Sequence, residues 1–180
     1  LVLFPFFSME EEAILSGEFD LADYEGDKVI MPAVKLVADG SIQGYTGYLG
    51  EPYYVPYRAD SSYRGYPTLD RETLFEQVLA LHSAGYQLAI HGNGDAAIED
   101  ILDAFEAAQA AHPVADPRMI LIHAQMARED QIARMKALGV TPSFFSAHTY
   151  YWGDRHREIF MGPERAANMS PARWAQQYDV

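Results

Sequence analysis

Residues 86–105, YQLAIHGNGDAAIEDILDAF, decide how this chain folds. The run Tyr86-Gln87-Leu88-Ala89-Ile90-His91 is short and apolar through its middle, as a strand covered on both faces must be. Beyond Gly92-Asn93-Gly94 a helix opens at Asp95. It carries Ile98, Ile101, Leu102 and Phe105 at the i, i+3, i+4, i+7 spacing of one buried face. It should stop before His112-Pro113, because the residue preceding a proline is pushed out of the helical region. A strand, a tight turn and an amphipathic helix make one βα unit.

The same rhythm extends in both directions. Upstream, Asp70 reads as an N-cap, Leu74, Val78 and Leu81 follow at helical spacing, and Gly85 ends that helix. Downstream, Met119 to His123 reads as a strand and Arg128 to Leu138 as a helix burying Ile132 and Met135. After Gly139, Val140 to Ala147 reads as another strand ending in His148. Earlier in the chain, Val29 to Val37 reads as a strand carrying Lys35. Leu1 to Phe7 reads as a still earlier strand, followed by a short helix around Met9 to Leu15. Five βα-type units are legible, which is the pattern of an α/β protein with a parallel sheet. One segment breaks it: residues 44–68 are dense in Gly, Pro and Tyr and have no helical period, as in a lid or binding loop. Its tyrosines favour an ordered insertion.

At 180 residues the length prior gives one domain, and 49% hydrophobic with 22% charged residues is an ordinary globular composition. A net charge of −13 lacks the basic face that a nucleic-acid partner requires, and acidic membrane surfaces would repel it. The apolar opening Leu1 to Phe7 has no basic leader and runs into Met9-Glu10-Glu11-Glu12, so it fits neither a signal peptide nor a membrane span. The cytoplasm is the expected compartment, and a homo-oligomer is compatible with the composition. Because the chain starts with Leu, we expect a processed product or a piece of something longer. With no cysteine, metal chemistry would fall to His, Asp, Glu and Lys.

Chemistry concentrates at the ends of the expected strands. His91, His123 and His148 each sit at or just past such an end, the edge where parallel α/β sheets bind ligands. Each alone could be a hydrogen-bonded structural residue; three in register point to a shared site. Lys35 has the same address among apolar neighbours, where burial would favour its neutral amine unless its stem carries the ammonium to water. The turn His91-Gly92-Asn93-Gly94-Asp95 lets backbone approach whatever His91 binds. It could cradle phosphate at a helix N-terminus, but Asp95 would repel an anion and no nucleotide-binding glycine pattern is present. After His148, the stretch Thr149 to Arg157 brings together Tyr150, Tyr151, Trp152 and His156. It reads either as a surface loop anchored by aromatics or as a pocket wall, and its place after a candidate ligand favours the wall.

Taken in order, VKLVADGSIQG (34–44), AIHGNGDAAI (89–98), IHAQ (122–125), HTYYWGDRHR (148–157) and GPERA (162–166) resemble the YtcJ-like branch of the metal-dependent amidohydrolases over essentially the whole chain. The resemblance implies a (β/α)8 barrel that uses one or two divalent metals, usually zinc, to hydrolyse C–N bonds in amide- or formamide-like small molecules. It makes His91 and His123 metal ligands on the fifth and sixth barrel strands. Lys35 becomes the fourth-strand lysine, often carboxylated to a carbamate that bridges two metals. His148 takes a catalytic place in the seventh-strand region, with Tyr150, Trp152 and His156 as substrate contacts, and Asp95 supports the ligands from behind.

The family's first-strand H-x-H pair and eighth-strand Asp have no counterpart here. A barrel of this type needs ~250 residues, so the resemblance implies a partial barrel of about strands 3 to 7, inactive alone. A rival reading is a complete, non-catalytic α/β domain binding a small ligand or metal at the same edge. It leaves the register of Lys35, His91 and His123 unexplained.

Overall fold

A computed structural model describes all 180 residues. Four strands form one parallel sheet in the order β1-β2-β3-β4: β1 (Val34–Val37), β2 (Leu88–Gly92), β3 (Ile120–His123) and β4 (Thr141–Phe144). The helices are α1 (Phe7–Ser16), α2 (Arg71–Ser83), α3 (Asp95–Ala111), α4 (Glu129–Leu138), α5 (Ala147–Arg155), α6 (Gly162–Ala166) and α7 (Ala172–Tyr178), with a π-helical turn at His156–Phe160. Asp70 caps α2 by accepting the Thr73 N–H, and Gly85 and Gly139 end their helices with positive φ, as the residue types require.

Alternation along the strands sorts the side chains. Val34, Leu36, Leu88, Ile90 and Leu121 are sealed between the sheet and α2, α3 and α4 in a core that includes Leu74, Val78, Ile98, Ile101, Phe105 and Ile132. Lys35, Val37, His91 and Ile122, on the opposite face, are only partly buried. The register pairs Val37 with His91 and Gly92 with His123, so the strands end close together.

Three expectations change. There are four strands, not five: Leu1 to Phe7 makes only isolated parallel bridges, Val2 to Ile30 and Phe6 to Lys35. The strand expected from Val29 begins at Val34, because Pro32 lacks the N–H that a ladder needs. The strand expected to reach His148 stops at Phe144, and His148 lies instead in the first turn of α5. Pro142 is tolerated in β4 because β4 pairs only with β3 and is an edge.

The tyrosine-rich insertion is ordered by its own aromatics. Tyr45, Tyr53, Tyr57 and Tyr63 stack or tilt against one another with centroids 4.5–5.9 Å apart, and Phe160 packs edge-on to Tyr45 at 5.0 Å. Tyr45, Tyr53, Tyr63 and Phe160 join Ile42, Leu49, Met126, Met161 and Met169 in a second, smaller core. Backbone bonds Tyr54 N–H to Phe160 O and Val55 N–H to Ile159 O hold the insertion to the π-helical turn.

Candidate active site

Three imidazoles meet at the C-terminal edge of the sheet. The rings of His91 and His123 are 4.7 Å apart and nearly perpendicular, and His148 is 5.2 Å from His123. His91 comes directly off β2. Strict alternation would turn His123 to the side of Leu121, but positive φ at His123 (75°) and Ala124 (46°) breaks the alternation where β3 ends and lays the ring against His91. Two successive non-glycine residues in that region are strained, and such strain persists where surroundings over-determine it, commonly at functional sites. The α5 helix brings in His148, so a helix supplies the position expected of a strand end.

Burial lowers the pKa of all three rings. His123 falls to about 4, through burial first and then the charges of His91, His148 and Lys35. His91 and His148 are lowered by the same leading cause. Near neutral pH the rings are therefore uncharged and carry lone pairs, the state in which imidazole binds a metal. Lys35 is also lowered by burial, its ammonium 5.6 Å over the Phe6 ring.

Behind His91 stands Asp39, fully buried, a residue that the sequence reading left without a role. Its carboxylate accepts the N–H groups of Tyr48 (2.9 Å), Asn93 (2.9 Å) and Gly94 (2.8 Å), and its Oδ1 is 3.5 Å from His91 Nε2. Burial pushes this carboxyl up to about 7, against the pull of the three amides. His91 Nε2 also lies 3.0 Å from the Gly40 carbonyl and 2.9 Å from Asn93 Nδ2. A signal was available in the sequence: an aspartate directly after the apolar run Val34 to Ala38 must find donors if it is buried.

The other expected residues take varied places. Gly94 is the N-cap of α3, and Asp95 is its first residue, accepting the Gly50 N–H at 2.9 Å and facing Arg128 at 3.5 Å. His156 is fully buried under the site, its Nε2 3.0 Å from the Gln125 amide nitrogen. Its pKa falls to about 4 by burial, with a smaller contribution from His148. Tyr150 is 83% exposed and packs on Tyr151, outside the imidazole cluster. Trp152 is partly buried, with the Arg155 guanidinium over its ring.

No three His, Asp or Glu side chains are arranged as a ready-made metal cage. What fits a metal is the donor set: neutral imidazoles of His91 and His123 side by side, with Lys35 close enough for its charge to weigh on both. The Nδ1 atoms of His123 and His148 are buried with no hydrogen-bond partner, an expensive condition for polar atoms that nothing in the chain relieves.

A parallel α/β sheet with clustered histidines at its strand ends has the architecture in which ligands generally bind along that edge. More narrowly, the chain belongs to the amidohydrolase family, whose model matches residues 9–180. It is 36% identical over 132 residues to a putative amidohydrolase, YtcJ, of Bacillus subtilis, covering 71% of this chain and 23% of that protein. Among solved structures it resembles metal-dependent hydrolases of Pyrococcus furiosus (TM-score 0.77, 23% identity) and Pyrococcus horikoshii (TM-score 0.74, 25% identity). Each likeness covers 97% of this chain, with 34% and 33% of the respective structures. The chain thus spans about a quarter to a third of the length of these relatives.

Proposed function

We propose that this chain carries the metal-binding strands of a metal-dependent amidohydrolase that hydrolyses C–N bonds in small amide- or formamide-like molecules. The observation that carries the reading is the perpendicular His91–His123 pair at the strand ends, uncharged near neutral pH, with Lys35 on the same face of the sheet two residues inside the end of β1. The sheet has helices on one face and a half-open opposite face, which is how about strands 3 to 7 of a (β/α)8 barrel would look. Relatives described as metal-dependent hydrolases support the divalent ion.

In this reading His91, His123 and Lys35 would hold the metal, expected to be zinc from the family resemblance. A divalent ion there would lower the pKa of a water toward ~7 and polarise a carbonyl. His91 would offer Nδ1 to such an ion, since its Nε2 faces Gly40 and Asn93. Lys35, its ammonium disfavoured by burial, adds through Nζ to carbon dioxide; an N–C bond forms, a proton leaves, and the amine becomes an anionic oxygen donor. His148 contacts the substrate's carbonyl oxygen, where negative charge develops. Tyr150, Trp152 and His156 line or back the substrate side, and Asp95 braces the loop behind His91.

Metal analysis of the full-length protein beside its His91→Ala and His123→Ala variants tests the ligands. We expect the metal to be lost from both variants; unchanged content in either removes that residue from the site. Turnover of amides and formamides by the metal-loaded wild type tests the reaction.

A further inference from the structure

We propose that Asp39 is the positioning residue of His91: it sets which ring nitrogen carries the proton and so leaves Nδ1 as the nitrogen free for a ligand. The clause about the ligand rests on the functional reading above; the assignment of the proton does not.

His91 Nε2 has two neighbours that ask for opposite states. The Gly40 carbonyl oxygen, 3.0 Å away, calls for a proton on Nε2. The Asn93 amide nitrogen, 2.9 Å away, calls for a lone pair there. Turning the Asn93 amide over does not remove the conflict, because Nδ2 also donates to Gly40 O at 2.7 Å and an oxygen in its place would face that carbonyl. By hydrogen bonding alone the ring could take either tautomer.

Asp39 breaks the tie. Its Oδ1 is 3.5 Å from the same Nε2, too long for a good hydrogen bond but close enough for its charge to favour an N–H over a lone pair. The carboxylate has little freedom to turn away. Its Oδ1 accepts from Asn93 N–H and its Oδ2 from Tyr48 and Gly94 N–H, so the insertion and the β2–α3 turn together clamp it and no water reaches it. A carboxylate that orients a ligating imidazole from behind is a general device for raising its basicity. Here it acts beside a carbonyl rather than through a single direct bond.

The test is ¹⁵N NMR of histidine-labelled full-length protein without metal at pH 8, with the His91 resonances assigned by their loss in H91Q. We expect wild-type His91 to be protonated at Nε2. A wild-type ring protonated at Nδ1 overturns the proposal without any variant, so the proposal does not depend on a mutant that folds. In Asp39→Asn the population should move toward the Nδ1-protonated form, and an unchanged tautomer overturns it. Asn93→Ala, which removes the competing donor, should leave Nε2 protonated; a switch to Nδ1 would show that Asn93 governs the ring and would refute Asp39's role. Zinc titration of Asp39→Asn should show affinity about 10–100-fold weaker. A wild type that binds no zinc at all, with the tautomer as expected, counts against the functional reading alone.

Discussion

Gly94→Ala is the perturbation that most directly asks whether the tyrosine-rich insertion is part of the site's foundation. A Cβ at Gly94 would lie 1.8 Å from the Tyr48 carbonyl oxygen, 2.4 Å from its carbon and 2.9 Å from its nitrogen. All three are backbone atoms, so no rotamer change relieves the overlap. To reach even 3.0 Å from the oxygen, the insertion and the β2–α3 turn must separate by at least about 1.2 Å. That movement breaks the Tyr48 N–H bond to Asp39 (2.9 Å) and the Ala97 N–H bond to Tyr48 O (3.3 Å). Losing a hydrogen bond to a charged group costs about 1.5–3 kcal/mol and a backbone bond about 0.5–1.5 kcal/mol. Gly94 has φ −79° and ψ 147°, which alanine adopts freely, so the less flexible unfolded chain offsets about 0.4–1 kcal/mol.

The net expectation is a loss of about 2–3 kcal/mol, read as a lower urea midpoint at unchanged slope. Gly26→Ala is the control, since its Cβ would meet nothing within 4 Å and its φ is not positive. A Gly94→Ala protein within 0.5 kcal/mol of wild type would refute the claim that insertion and turn are rigidly seated on each other.

Acidification should destabilise the protein through its histidines. His123 and His156 both titrate near 4 when folded and near 6.5 when unfolded, so their contribution is complete above pH 6.5 and is lost as pH falls toward 4. Asp39, raised to about 7, works in the opposite sense over the same window. His156→Gln should therefore flatten the fall in urea midpoint between pH 6.5 and 4, and an unaltered fall would show that His156 is not held neutral. Arg134 joins Glu99, Asp103 and Glu106 of α3 to α4 at 2.6–2.8 Å, so Arg134→Gln should cost about 1–2 kcal/mol, less in high salt, by denaturation at two ionic strengths. Tyr150→Ala, at an exposed position, should change stability by under about 0.5 kcal/mol. If Tyr150 contacts substrate, the variant raises KM at unchanged metal content, and an unchanged KM removes it from the pocket.

How much of this was legible follows from the range of the interactions. Period and caps report contacts within one element, which is why α2, α3 and α4 lie within a residue of where Asp70, Asp95 and Arg128 placed them. Strand ends were less legible: Pro32 shortened one strand, and the left-handed turn at His123 and Ala124 is a tertiary constraint with no glycine to announce it. His148 reaches the imidazole cluster from a different element than the expected one, since a histidine after an apolar run looks the same whether the strand runs on to it or stops at Phe144 and a helix begins at Ala147. Asp39 was missed because its meaning is non-local: its partners Tyr48, Asn93 and Gly94 lie 9, 54 and 55 residues away. Those same distances are what give it leverage. A residue that ties the insertion to the β2–α3 turn and stands beside one imidazole makes the seating of the insertion and the orientation of His91 parts of one arrangement. Gly94→Ala, whose added methyl meets the Tyr48 backbone rather than the His91 ring, should therefore disturb the His91 resonances along with the insertion.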